Sequence, residues 1–209
     1  MLFKEYIQEL DLIKAQNDVE CDFYCIIAPL LKRSNSLAKY SIRDISQRKR
    51  TKSGTERIFW GVAGFPDFVI IDKKYTTSNV VADKSIIHGV VEAKYVGKPL
   101  LEEFNDKLQL IGHLLSFGFV IYTNGYIWRI YSNSWNDSHR EVTEMENKSF
   151  IDTRGKSTRA KIATKEINNW LNSHSLDDLA FEEYILKDES GWKEDAWSGL
   201  LTTLENVQI

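Results

Sequence analysis

With 209 residues, 43% hydrophobic content and a formal net charge of −3, the chain holds enough apolar material for one sizeable α/β core plus an appended piece, so one main domain is expected. No uninterrupted apolar stretch is long enough to cross a bilayer, and the opening Met1-Leu2-Phe3-Lys4-Glu5-Tyr6 lacks the basic-then-apolar layout of a secretory signal. No membrane partner is expected, and a soluble, cytoplasmic protein is.

Residues 2–13 read as an amphipathic helix and 19–31 as a second. The only two cysteines, Cys21 and Cys25, fall four apart on that second helix and read as small core residues of a reducing compartment rather than a disulfide framework. Next, 39–57 carries seven bases against two acids. A basic loop with Arg48, Lys49, Arg50 and Lys52 at its centre is expected to track a phosphate backbone, the alternative being a solvated hairpin or loop. An apolar, β-branched pattern predicts a strand over 58–72, bent at Gly61 or Gly64, and a polar connection over 73–84 leads to its partner over 86–96. A helix over 100–116 then crosses to a strand over 119–123. That strand pairs with one over 126–132 through Asn124-Gly125, the strongest short hairpin signal a sequence offers.

Residues 133–157 are polar and rich in turn formers, a loop or linker, and 158–209 read as a helical, acidic extension. From residue 176 onward nine acids face two lysines, a net of −7 that leaves +4 for everything before. Trp170, Trp192 and Trp197 require the extension to pack on the core, on a partner or on a second copy. The whole is an α/β fold, a mixed sheet flanked by helices.

Two short strings carry the chemistry: Gly64-Phe65-Pro66-Asp67, which leads into Phe68-Val69-Ile70-Ile71, and Glu92-Ala93-Lys94, which closes the run Ile86 through Val91. Alternate side chains of a strand share a face, so Glu92 and Lys94 point one way while the Ala93 carbonyl lies near the sheet plane. Two carboxylates and a carbonyl suit a hard divalent cation that keeps several waters, and an adjacent ammonium can orient water or offset charge on a phosphorane-like transition state. Asp67 after Pro66 also fits plain turn chemistry, and Glu92 with Lys94 also fits a solvated strand face. Joined at the end of so apolar a run, however, the charges need partners or a metal, because burying them bare is costly.

Pro66-Asp67 followed by Glu92-Ala93-Lys94 resembles the PD-(D/E)XK nucleases and their restriction-endonuclease-like fold. The downstream order, a helix carrying Gln109 and then Phe119-Val120-Ile121-Tyr122-Thr123-Asn124-Gly125, is similar to the nuclease domain at the N-terminus of type I restriction motor subunits. The resemblance covers roughly residues 17–132 and implies a nuclease-like domain over 1–132. It implies a Mg²⁺- or Mn²⁺-dependent DNA endonuclease acting in defence against foreign DNA, alone, as a homodimer, or beside separately encoded restriction-system subunits. Asp67, Glu92 and the backbone of Ala93 would hold the metal, Lys94 would assist the water or transition state, and Gln109 would position substrate or Lys94. Glu20 either completes the metal site or sits at capping-box spacing from Asn17.

Lys73, Lys74 and Lys98 flank the motif as further DNA contacts or as loop solubilisers. One departure is that relatives often have tyrosine four residues after the glutamine, where this chain has His113; His113 and His88 read as structural histidines. No Gly-x4-Gly-Lys-Ser/Thr phosphate loop is present, so no translocating motor is expected in this polypeptide. The alternatives are a non-cleaving DNA- or protein-binding subunit on the same fold, or a nuclease acting on RNA or repair structures.

Overall fold

The computed structural model describes residues 1–46, 59–61, 63–76, 86–132, 169, 172, 175–176, 179, 181–207 and 209. Arg48, Lys49, Arg50 and Lys52, the linker over 133–157 and nearly all of the helix expected over 158–173 lie outside the described residues.

Two amphipathic helices open the chain, α1 (Phe3–Gln16) and α2 (Glu20–Arg33), each burying one apolar stripe. A 3-10 turn (Leu37–Lys39) leads into β1 (Tyr40–Asp44), then come β2 (Phe68–Asp72) and β3 (Ile87–Ala93). Helix α3 (Phe104–Phe117) is followed by β4 (Phe119–Thr123), β5 (Ile127–Ser132) and β6 (Phe181–Ile185). A short hairpin, β7 (Lys187–Asp188) with β8 (Gly191–Trp192), precedes α4 (Glu194–Asn206).

The first six strands form one mixed sheet in sequence order. Every neighbouring pair is antiparallel except β3 and β4, which run parallel. A parallel pair needs a crossover, and α3 supplies it, ended by Gly118 in the left-handed conformation at φ 75°.

Strand alternation sorts the core into two layers. Phe68, Ile70, Val91, Ala93, Phe119, Ile121, Trp128 and Ile130 face α1, α2 and α4, whereas Val69, Ile71, Val90, Val120, Tyr122 and Tyr131 face α3. Tyr6 joins the first layer to a turn: its hydroxyl donates to the Gly125 carbonyl (2.6 Å) and accepts from Trp128 Nε1 (2.9 Å).

Four expectations are corrected. The basic stretch begins as a strand, since residues 40–44 pair with β2 as a sheet edge that buries only Ile42. Such a short, charged edge has too little alternation to show in sequence. The strand expected over 58–72 begins only at Phe68. Before it, Gly61 and Gly64 exchange backbone hydrogen bonds (2.8 and 3.1 Å) in a tight turn with Gly64 at φ 107°, and Pro66 has no N–H to give to a ladder.

The C-terminal extension is not wholly helical, because residues 181–185 add the sixth strand. Glu183 lies opposite Arg129 and accepts a hydrogen bond from its Nε (2.5 Å), so a partner strand rather than its own periodicity specifies β6. The extension's need for a packing surface is met by the core: Trp197 stacks on Phe3 and Tyr6, and the hydroxyls of Ser34 and Ser36 donate to the Leu204 carbonyl near the end of α4. Cys21 and Cys25 are also corrected: both are exposed, with Phe23, Ile26 and Ile27 taking the buried face of α2.

Candidate active site

Phe68 lies opposite Val91, so continuing the antiparallel register places Asp67 opposite Glu92. Opposed residues of an antiparallel pair point to one face, and Lys94, two residues after Glu92, follows the same alternation. Backbone register alone thus draws the three charged residues together at the end of β3. All three are buried, Asp67 at 9% exposure, Glu92 at 3% and Lys94 at 5%.

Their side chains form one connected network. Lys94 Nζ donates to Glu92 Oε1 (2.9 Å) and to Gln109 Oε1 (2.6 Å), and Asp106 Oδ1 stands 3.7 Å away. Asp67 Oδ2 accepts the backbone N–H of Ala93 (2.8 Å), so the group Ala93 gives to this network is its amide, where its carbonyl was the group expected. Asp67 Oδ1 accepts the hydroxyl of Tyr24 (2.5 Å), which reaches over from α2.

The helix expected to carry Gln109 presents its polar face to this network. Asp106, Gln109 and His113 are spaced by three and four residues, so one stripe of α3 meets Lys94 and Glu92 while Leu110, Ile111, Leu114 and Leu115 fill the layer beneath. Phe104, the first residue of α3, is 54% exposed and lies outside that layer.

Two further residues take part, one that sequence reasoning read only as a structural histidine and one that it missed. His113 is fully buried, and its Nε2 lies 3.2 Å from Glu92 Oε2. An ionised Glu92 can only accept, so Nε2 carries the proton. The spacing of four from Gln109 was the signal that could have found it. Tyr24 is the other, and only the fold brings α2 over the start of β2.

Glu20 sits at the first position of α2, 3.5 Å from the Tyr24 hydroxyl and at the edge of the network. Its capping alternative is not realised, since Asn17 Nδ2 donates to Asp22 instead. Lys98 reaches Asp106 (3.0 Å) and Glu103 (3.2 Å), so its charge is engaged inside the protein. His88 lies elsewhere, packed on Tyr40.

Electrostatics separates the two carboxylates. Burial, reinforced by repulsion from Glu92, pushes Asp67 up to about 8 despite the hydrogen bonds from Tyr24 and Ala93. Burial also acts to raise Glu92, but the hydrogen bond and charge of His113, together with Lys94, outweigh it and hold Glu92 below the usual range. Burial opposes the charge on Lys94, yet Glu92, Glu20 and Asp106 outweigh it and raise the ammonium above its ordinary value. Burial likewise raises Glu20.

Among the described residues no group of three or more His, Cys, Asp or Glu is gathered so as to hold a metal ion. A cation here would rest on Asp67 and Glu92, the Ala93 carbonyl and water, a hard oxygen set of the kind Mg²⁺ accepts. Repulsion between two buried carboxylates is the condition a divalent cation relieves, so the donor chemistry fits.

The His113–Glu92 contact can be tested by itself. His113→Phe keeps an aromatic ring, though a larger one, and leaves Glu92 Oε2 without that donor; a loss of about 1–3 kcal/mol in urea unfolding is expected, with His113→Gln recovering part of it by restoring a donor. Equal stability of all three proteins would show the contact to be energetically idle.

Comparison of the chain with family models, with curated proteins and with solved structures finds no match. Fold and site together describe an α/β protein with a buried carboxylate, carboxylate and lysine cluster at the ends of its central strands.

Proposed function

We propose that the chain is a metal-dependent nuclease of the PD-(D/E)XK type, on a restriction-endonuclease-like core, that hydrolyses phosphodiester bonds in DNA as part of defence against foreign DNA. The observation that carries this reading is the convergence of Asp67, Glu92 and Lys94 on one face at the end of β3, with the ammonium 2.9 Å from Glu92. A purely structural ion pair does not call for a second buried carboxylate whose charge opposes the first.

Asp67 and Glu92, with the Ala93 carbonyl, are the groups that would hold Mg²⁺ or Mn²⁺. Bound there, the cation supplies Lewis acidity toward the scissile phosphate and lowers the cost of ionising water. Lys94 remains charged at neutral pH, so it acts as an electrostatic and hydrogen-bonding group rather than a base. Two of its three N–H donors engage Glu92 and Gln109, which leaves one for a water or a phosphate oxygen. Gln109 fixes the direction of that third donor, and His113 holds Glu92 in place from the other oxygen. Tyr24 and the Ala93 amide orient Asp67.

The test is incubation of purified protein with supercoiled plasmid in Mg²⁺, Mn²⁺ or EDTA. Nicking that depends on the metal is expected; nicking undiminished by EDTA, or retained when Asp67 is replaced, would sink the reading.

A further inference from the structure

We propose that Lys14, Lys187 and the ring of Tyr126 form a contact for the sugar-phosphate backbone of DNA beside the candidate active site, an inference that rests on the nuclease reading above. The parallel strands β3 and β4 end at the same edge of the sheet, and β6, antiparallel to β5, ends there too. In open α/β sheets ligands gather outside the carboxyl ends of such strands.

Backbone hydrogen bonds tie this edge into one surface. The Lys94 N–H donates to the Thr123 carbonyl (2.8 Å) and the Gly97 N–H to the Asn124 carbonyl (2.9 Å), so the loop after β3 is laced to the turn that carries Tyr126. The Leu186 N–H donates to the Tyr126 carbonyl (2.7 Å), which brings the segment after β6 to the same turn.

Two cations meet on that turn. Lys187 Nζ lies 4.5 Å from the Tyr126 ring centroid, 4.8 Å from that of Trp192 and 3.3 Å from the Tyr126 hydroxyl. Lys14, at the end of α1, places its Nζ 5.5 Å from the same Tyr126 centroid. Gly97 closes the arrangement: a Cβ there would stand 2.6 Å from the tyrosine ring and 3.3 Å from Lys14 Nζ, so only glycine, at φ 76°, lets loop, ring and ammonium come together.

Neither ammonium has a carboxylate within 4.0 Å among the described residues, whereas Lys98 at the same edge is bound by two. Each aromatic face accounts for where one lysine rests. It does not account for two unneutralised charges brought within about a Debye length at 0.1 M salt, ~10 Å, in a chain of net charge −3. An anion shared between them supplies the missing charge. Two ammonium groups held at a partly buried phenol ring match the phosphate oxygens of a nucleic-acid strand entering the site.

The experiment measures binding of a fluorescein-labelled DNA duplex to the full chain in EDTA by anisotropy across a salt series, beside plasmid nicking in Mg²⁺. Lys14→Gln and Lys187→Gln are each expected to lower the slope of log affinity against log salt by about 0.9, and the double variant by ~1.8 with binding weakened roughly tenfold. Lys187→Arg should bind as wild type, which separates lost charge from lost packing, and Lys4→Gln and Lys32→Gln, at the far ends of α1 and α2, should leave the slope unchanged. Wild-type affinity and slope in the double variant, or no binding by wild type, overturns the proposal, and the nuclease reading survives if plasmid is still nicked. Binding that depends on the two lysines without nicking in Mg²⁺ or Mn²⁺ supports the contact and removes the nuclease reading.

Discussion

Lys94→Ala is expected to abolish metal-dependent nicking and also to destabilise the protein by about 3 kcal/mol. Lys94 is 5% exposed and is the cation shared by Glu92, Gln109 and Asp106, with Glu20 close enough to contribute to its charge. Its removal leaves Glu92 held by His113 alone and returns the repulsion among the surrounding carboxylates without an internal counter-charge. Breaking a buried pair from one side is more damaging than removing both members, so a Glu92→Gln, Lys94→Met double variant should recover much of the stability and none of the nicking. Urea unfolding of the single and double variants measures the first effect, and plasmid nicking the second. Full activity in Lys94→Ala would show that the ammonium is packing rather than chemistry.

Asp67→Asn is expected to behave oppositely, losing nicking while gaining stability above neutral pH. Asp67 titrates at about 8 in the folded chain against an ordinary value of 3.8, so between those values the folded state holds a proton that the unfolded state has lost. Stability from this group is therefore full at low pH, declines as pH rises through that window and has gone above about pH 8. The difference is on the order of 3 kcal/mol once screening and coupling to Glu92 are allowed for. An asparagine copies the protonated acid: its oxygen accepts from Ala93 and its amide donates to the Tyr24 oxygen, with no charge to desolvate. The wild-type denaturation midpoint should fall from pH 5 to pH 8 while that of the variant stays flatter. Mg²⁺ should restore wild type most at the alkaline end, because a cation favours the ionised acid. A variant with the same pH slope as wild type would show that Asp67 is not the titrating group.

Much of this was legible in the residues alone. The strand of Phe119–Thr123 and the hairpin through Asn124-Gly125 lie where alternation and turn chemistry put them, because each is specified by local pattern. The same holds for α1 and α2 within a few residues, and for the helix that carries Gln109. The edge strands were not legible. β1 and β6 carry Arg43, Asp44, Glu182 and Glu183, and exposed positions at a sheet edge tolerate charges that erase the period-two signal. Their partners β2 and β5 hold them in place, and partners are absent from a linear reading.

For the site the division is sharper. Sequence by itself put Glu92 and Lys94 on one face, two residues apart at the end of an apolar strand, and offered Asp67 as their partner; the observed register, Phe68 opposite Val91, brings Asp67 to that face and completes the cluster. Only the tertiary structure decided what surrounds it. Tyr24 reaches Asp67 from forty-three residues away and His113 reaches Glu92 from twenty-one, contacts that exist because α2 and α3 pack on opposite faces of the sheet that carries the two acids. Periodicity is a property of the chain near a residue, whereas the burial and charges that raise Asp67, and the partners that lower Glu92, come from groups that folding gathers from α2, α3 and the end of β3.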